Sequence, residues 1–192
     1  VPIQVKYNRT HVPVRFMAEI FGAEVDFIRD KNMVTIRMEN SNPTEIYDKA
    51  VAELSKGNAA QAERLFLEVL KIDSSHAGAM LKLAKLYAST DKAQSAYYYE
   101  EFLKIQPKDY DALNSLGWMY ADLGNIPKAV EVFKNLTIQL PDVGAYWIAL
   151  GDMYAHYQIQ DYSAAKECYN KALTCNLSEN QRNSVNEKLK KY

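Results

Sequence analysis

The 192-residue sequence predicts a mainly α protein, with about four stacked helical hairpins and a C-terminal capping helix preceded by a small α+β module. Two observations predict this. Leu116-Gly117 recurs 34 positions on as Leu150-Gly151, and Tyr120 recurs as Tyr154 and Pro107 as Pro141 at the same spacing, so a hairpin-sized unit repeats along the chain. Residues 1–40 lack that period. There, apolar and polar residues alternate at Ile3, Val5 and Tyr7, at Val25 and Phe27, and at Val34, Ile36 and Met38, as half-buried strands require.

The stretch from Asp111 to Pro141 shows what the unit needs. Gly117 and Ala129 are small, which lets two helix axes approach closely, and Tyr120 and Phe133 fill the wedge left between them. Gly124 supplies a left-handed residue to stop the first helix, and Pro141 stops the second. Leu116, Gly117, Tyr120, Gly124, Ala129, Phe133, Leu136 and Pro141 follow the tetratricopeptide pattern position by position, so the segment resembles a tetratricopeptide repeat. The resemblance implies a right-handed superhelix, because one hairpin cannot bury its apolar face alone and must stack on neighbours.

From the N-terminus, Arg15–Phe21 has helical spacing through Phe16, Ile20 and Phe21 and ends at Gly22, a C-cap, while Asp30-Lys31-Asn32 reads as a hairpin turn. The string NRTHVPVRFMAEIFGAEVDF followed by VTI resembles part of the copper amine oxidase N-terminal-like module. Val12, Pro13, Arg15, Glu19, Gly22, Ala23, Val25, Val34 and Ile36 fit it, over residues 3–38. Asn8-Arg9 lacks the Gly usual between them, and Phe27 stands where Trp is usual. The resemblance implies an exported or cell-wall protein of a Gram-positive bacterium. It implies no copper: His11 is the one imidazole of the segment, and the Asn-Tyr-Asp/Glu tripeptide that matures into the oxidase quinone is absent. About 40 residues hardly hold a core alone, so this piece is expected to pack on the solenoid, on a further segment or on a second copy.

Asn40-Ser41-Asn42-Pro43 breaks both patterns and marks the boundary between a module at 1–40 and a repeat domain at 43–192, with Thr44 as the expected N-cap. The hairpins fall at 43–75, 76–108, 110–143 and 144–177. Ala50, Leu54, Ala62 and Phe66 carry the first, and Leu83, Ala84, Tyr87, Ser95, Tyr99 and Phe102 the second, whose turn Ser89-Thr90-Asp91 has no Gly. Of the run Tyr97-Tyr98-Tyr99, Tyr99 points to the core and the other two are assigned to inter-repeat packing. In the fourth hairpin Ala165, Tyr169 and Ala172 lie 36 residues beyond Ala129, Phe133 and Leu136, so two extra residues fall in the turn Tyr157–Asp161. The cap, 178–192, starts at Ser178 and places Val185 and Leu189 on one face, with Lys188, Lys190 and Lys191 as a solvated end that complements the helix dipole.

Composition excludes several function classes. A formal net charge of −1 and a pI near 6.4 offer no basic field for nucleic acid. No apolar run approaches the roughly 20 residues of a membrane helix. Neither a leader nor an initiator Met is visible, so a mature or trimmed product is expected, extracellular or in the cell envelope, with the cytoplasm as the alternative. Cys168 and Cys175 lie about 10 Å apart along one expected helix and cannot pair, so both read as packed thiols.

Nucleotide-binding glycine loops, metal-ligand clusters and nucleophile elbows are absent, and His11, His76 and His156 belong to different modules. The expectation is a protein that is not an enzyme and takes no cofactor or metal. The tripeptides at Asn8, Asn135 and Asn176 match a glycosylation signal by coincidence. What remains is the groove lined by the first helix of each hairpin. The family's groove positions fall on Tyr47, Asp48, Val51, Leu81, Lys82, Lys85, Asp111, Asn114, Ser115, Trp118, Ile148, Asp152 and His156. A large aromatic beside charges and an Asn amide can hold a peptide backbone, although Trp118 can equally pack between repeats. The carboxylate clamp of chaperone-tail binders is missing, since Tyr47 and Val51, and Asp111 and Ser115, occupy its positions. The resulting expectation is a non-catalytic scaffold that binds a peptide segment or partner protein. Its rival is a self-assembling structural module that forms homo-oligomers through residues 1–40 or the repeat edges.

Overall fold

A computed structural model describes residues 23–28, 33–38 and 42–192, and the chain divides into two compact units, 1–45 and 46–192. In the first unit β1 (Ala23–Ile28) and β2 (Met33–Met38) form an antiparallel pair, with Ala23 opposite Met38 and Ile28 opposite Met33. This is the hairpin that the alternating residues predict. The expected strand at Ile3–Tyr7, the helix at Arg15–Phe21, its cap Gly22, His11 and the turn Asp30–Asn32 lie outside the described residues.

Nine helices follow among the described residues: α1 (Pro43–Ser55), α2 (Ala59–Ile72), α3 (Ala77–Tyr87), α4 (Lys92–Ile105), α5 (Tyr110–Asp122), α6 (Ile126–Gln139), α7 (Gly144–Ala155), α8 (Tyr162–Thr174) and α9 (Glu179–Lys191). They make four hairpins and a cap. Six of the nine starts are written in short polar side chains that accept otherwise orphaned backbone N–H groups. Asp91 accepts from Ala93 and Gln94, Asp109 from Ala112, Asn125 from Lys128 and Asp161 from Ala164, while Ser178 and Gln181 form a capping box. At α1 the expected cap moves by two residues. The Thr44 N–H donates to Asn42 Oδ1 at 3.0 Å, so Asn42 caps and Pro43, which has no N–H to satisfy, opens the helix.

The small residues sit where the axes come together. A Cβ on Gly117 would lie 2.8 Å from the Phe133 ring, and one on Gly151 would lie 2.6 Å from the Tyr169 ring. Facing them, Ala62, Ser95, Ala129 and Ala165 recur at equivalent positions and are fully buried, and the Ser95 hydroxyl donates to Ala84 O at 2.8 Å. Gly57 and Gly124 end their helices with φ of 83° and 74°, the left-handed region that glycine enters freely. The longer turn between α7 and α8 closes without glycine: Gln160 takes φ 55° and the Asp161 N–H returns to Tyr154 O at 3.0 Å.

Three features differ from the sequence expectation. Tyr98 stacks on Tyr87 and packs into the core, but Tyr97 is 52% exposed and touches Tyr98 edge-on, because consecutive helical residues point 100° apart. Cys175 lies just past α8 as its C-cap, though both thiols are free as expected. Lys188 is not part of a solvated end. It forms an ion pair with Asp152 and sits 5.7 Å from the Tyr169 ring centre, while Val185 beside it is fully buried. α9 thus closes the last core by packing and by charge.

Candidate partner-binding surface

The predicted surface residues lie on the first helix of each hairpin or at its end. Lys82 and Lys85 on α3 are three residues apart, and Asp111, Asn114 and Trp118 on α5 are three and four apart, so each set forms one stripe. Lys85, Asp111 and Trp118 are exposed, and Lys82 and Asn114 half-buried. The Trp118 indole remains 39% exposed while its ring meets Phe133 edge-on at 5.2 Å between centroids. The packing and the exposed readings of this residue therefore both hold: one edge is anchored in the hairpin and the rest of the ring faces solvent. Ser115 is occupied locally, its hydroxyl donating to Asp111 O at 2.9 Å.

Three predicted residues are committed to the fold. The Tyr47 ring lies 5.6 Å from Phe66 and 4.8 Å from His76 and covers Gly78, where an added Cβ would meet its Oη at 3.1 Å. Asp152 accepts from the Tyr169 hydroxyl at 2.8 Å and pairs with Lys188. His156 is the C-cap of α7, its ring 4.3 Å from Tyr157 and its Nδ1 accepting from the Gln158 N–H at 3.4 Å. What is left with open polar and aromatic surface is Asp48 on α1 and the set Lys82, Lys85, Asp111, Asn114 and Trp118 on α3 and α5.

The sequence reading missed a recurring tyrosine–carboxylate contact. Tyr87 donates to Glu63 at 2.6 Å, Tyr120 donates to Glu100, and Tyr169 donates to Asp152. Burial first, and then the adjacent carboxylate, push these phenols well above the usual tyrosine range, so they stay donors throughout the ordinary pH range. Each contact joins two helices 17 to 24 residues apart in sequence, a separation at which no local pattern signals pairing. Burial also pushes the Cys168 thiol up to about 11, which makes it inert. Among the described residues no group of three or more His, Cys, Asp and Glu is placed to hold a metal, and no helix is long and apolar enough to cross a membrane.

Comparison with known proteins agrees with this architecture. Tetratricopeptide repeat profiles match residues 78–109, 98–131 and 145–177. The copper amine oxidase N-terminal domain matches residues 1–58, which carries it past residue 38 and over α1. No curated protein sequence matches the chain significantly. Among solved structures, a tetratricopeptide repeat protein from Parabacteroides merdae is similar at 20% identity and TM-score 0.68, over 78% of this chain and 59% of that one. MamA from Desulfovibrio magneticus RS-1 is similar at 22% identity and TM-score 0.60, over 71% and 76%, and MamA AMB-1 at 15% and 0.65, over 86% and 83%. At these identities the likeness speaks to the fold. With the repeat signature, the stacked hairpins and the profile matches in agreement, the chain is a tetratricopeptide repeat protein whose N-terminal segment belongs to the copper amine oxidase N-terminal domain family.

Proposed function

We propose that this protein is a non-catalytic interaction scaffold that holds a segment of a partner protein against α3 and α5. The observation that carries the reading is Trp118, a large aromatic anchored on one edge by Phe133 and open on the rest. Aromatic anchors that become buried on binding supply most of the energy at protein interfaces; Asn114, four residues before Trp118 on α5, can bond a peptide backbone, and Lys85 on α3 can pair with an acidic group. The copper amine oxidase N-terminal match supports the cell envelope or exterior of a Gram-positive bacterium as the setting. In the rival reading, self-association runs through residues 1–40 or the repeat edges.

The test is a pull-down from envelope and culture fluid with wild type beside Trp118→Ala/Lys85→Ala. A partner kept by wild type and lost by the double variant at unchanged helicity is the expected result. Equal recovery of a partner by both baits would remove this surface. Recovery of the protein's own chain alone, equally with both, would make self-assembly the function.

A further inference from the structure

A second surface owes nothing to α3 and α5. Between α6 and α8, with one side of α7 as its floor, runs an open cleft of about 700 Å³. Trp147, Leu150 and Tyr154 form the floor. The Trp147 indole N–H is already given to Pro141 O at 2.8 Å, so what the residue presents to the cleft is an apolar ring. Ile138 forms one wall and is 66% exposed. At the equivalent position α2 carries Lys71 and α4 carries Lys104, 33 and 34 residues apart in turn, both exposed. Repeat packing therefore does not demand an apolar residue here, and this hairpin departs from its neighbours in having one.

The rim carries the opposite chemistry. Lys134 and Lys171 both line the cleft, and among the described residues neither lies within 4 Å of a carboxylate. Glu167 is the one acid on the rim, so the local balance is positive. The volume is that of a small-molecule site, and the α8 residues that line it extend from Ala164 to Thr174, about 15 Å along the axis. We propose that this cleft binds an amphipathic organic anion, its chain lying over Trp147, Leu150 and Tyr154 and its acid group held by Lys134 and Lys171. The floor residues lie roughly 140° around α7 from Ile148 and Asp152, so this site and the partner surface stand or fall separately.

Trp147 reports on the site directly, because the chain has two tryptophans and Trp118→Phe leaves it alone. The full chain carrying Trp118→Phe is titrated with decanoate below its micelle concentration, and with decyltrimethylammonium as the charge-reversed control. A saturable change in Trp147 fluorescence is expected with decanoate, and affinity at least about tenfold weaker for the cation. Lys134→Glu/Lys171→Glu weakens decanoate by at least about tenfold, and Ile138→Asn, which takes away the apolar wall without adding a cation, weakens it by at least about fivefold while leaving the helical spectrum intact, since polar Lys71 and Lys104 are tolerated at that position. Equal affinity for anion and cation, undiminished binding by Ile138→Asn, or no saturable response to decanoate would each overturn the proposal. The last outcome would leave the cleft to an apolar segment of a partner protein.

Discussion

Replacing Gly151 by alanine tests whether close approach of α7 and α8 holds the last hairpin together. The added methyl would sit 2.6 Å from Tyr169 Cε1, 2.8 Å from Cδ1 and 3.1 Å from Cζ, against an optimal carbon separation of about 3.5–4.0 Å. The ring cannot easily retreat. It is 1% exposed, its hydroxyl is bonded to Asp152, and it packs with Ala165, Ala172 and Val185. Overpacking of this kind destabilises by about 1–3 kcal/mol, and the better helix propensity of alanine returns about 1 kcal/mol. The expected net loss is about 0–2 kcal/mol, or up to roughly 8 °C in Tm for a chain of this size. Urea and thermal unfolding followed by far-UV circular dichroism measure it. Tyr169→Leu removes the clashing ring atoms, so the double variant should be more stable than the sum of the singles by about 1 kcal/mol. Gly151→Ala more stable than wild type by the full propensity gain of about 1 kcal/mol, or a double variant additive within about 0.3 kcal/mol, would refute the steric argument.

Two further outcomes follow from the cap and the thiols. Val185 is fully buried, so Val185→Ala should cost about 2 kcal/mol and raise amide exchange across 179–191 while leaving Leu116–Tyr120 unchanged, because each element of a solenoid leans on its neighbours alone. A uniform rise along the chain would contradict a locally opening cap. With a thiol pushed up to about 11 by burial, Cys168 has about one thiolate in ten thousand at pH 7, so a thiol-reactive dye should label Cys175 in the native protein and Cys168 upon unfolding. Two fast thiols per chain would show that α8 is not seated as described.

The repeat architecture was legible because its determinants are short-range and recur. Gly117 and Gly151 face aromatic rings, Gly57 and Gly124 turn the chain at positive φ, and polar caps open the helices, all within one hairpin's reach. The cap at α1 was placed two residues late because Asn42 and Thr44 are both good caps, and Pro43 decides for Asn42 by taking the first helical position. The exposure of Trp118 was legible because a large aromatic on the outward stripe of α5 stands out in any helical reading.

By itself, then, the sequence determined the period, the helical-hairpin architecture, the β1–β2 pairing and the helical stripe that carries Trp118, since each depends on residues near one another in the chain. The tertiary structure alone decided which of the candidate residues are spent. Asp152 meets Lys188 across 36 residues, Tyr47 packs on His76 and over Gly78, and Ile138 borders a cleft whose size depends on side chains from three helices. Such contacts follow from how whole helices settle against one another. Periodicity records which face of a helix is buried, and it carries no record of what that face will meet.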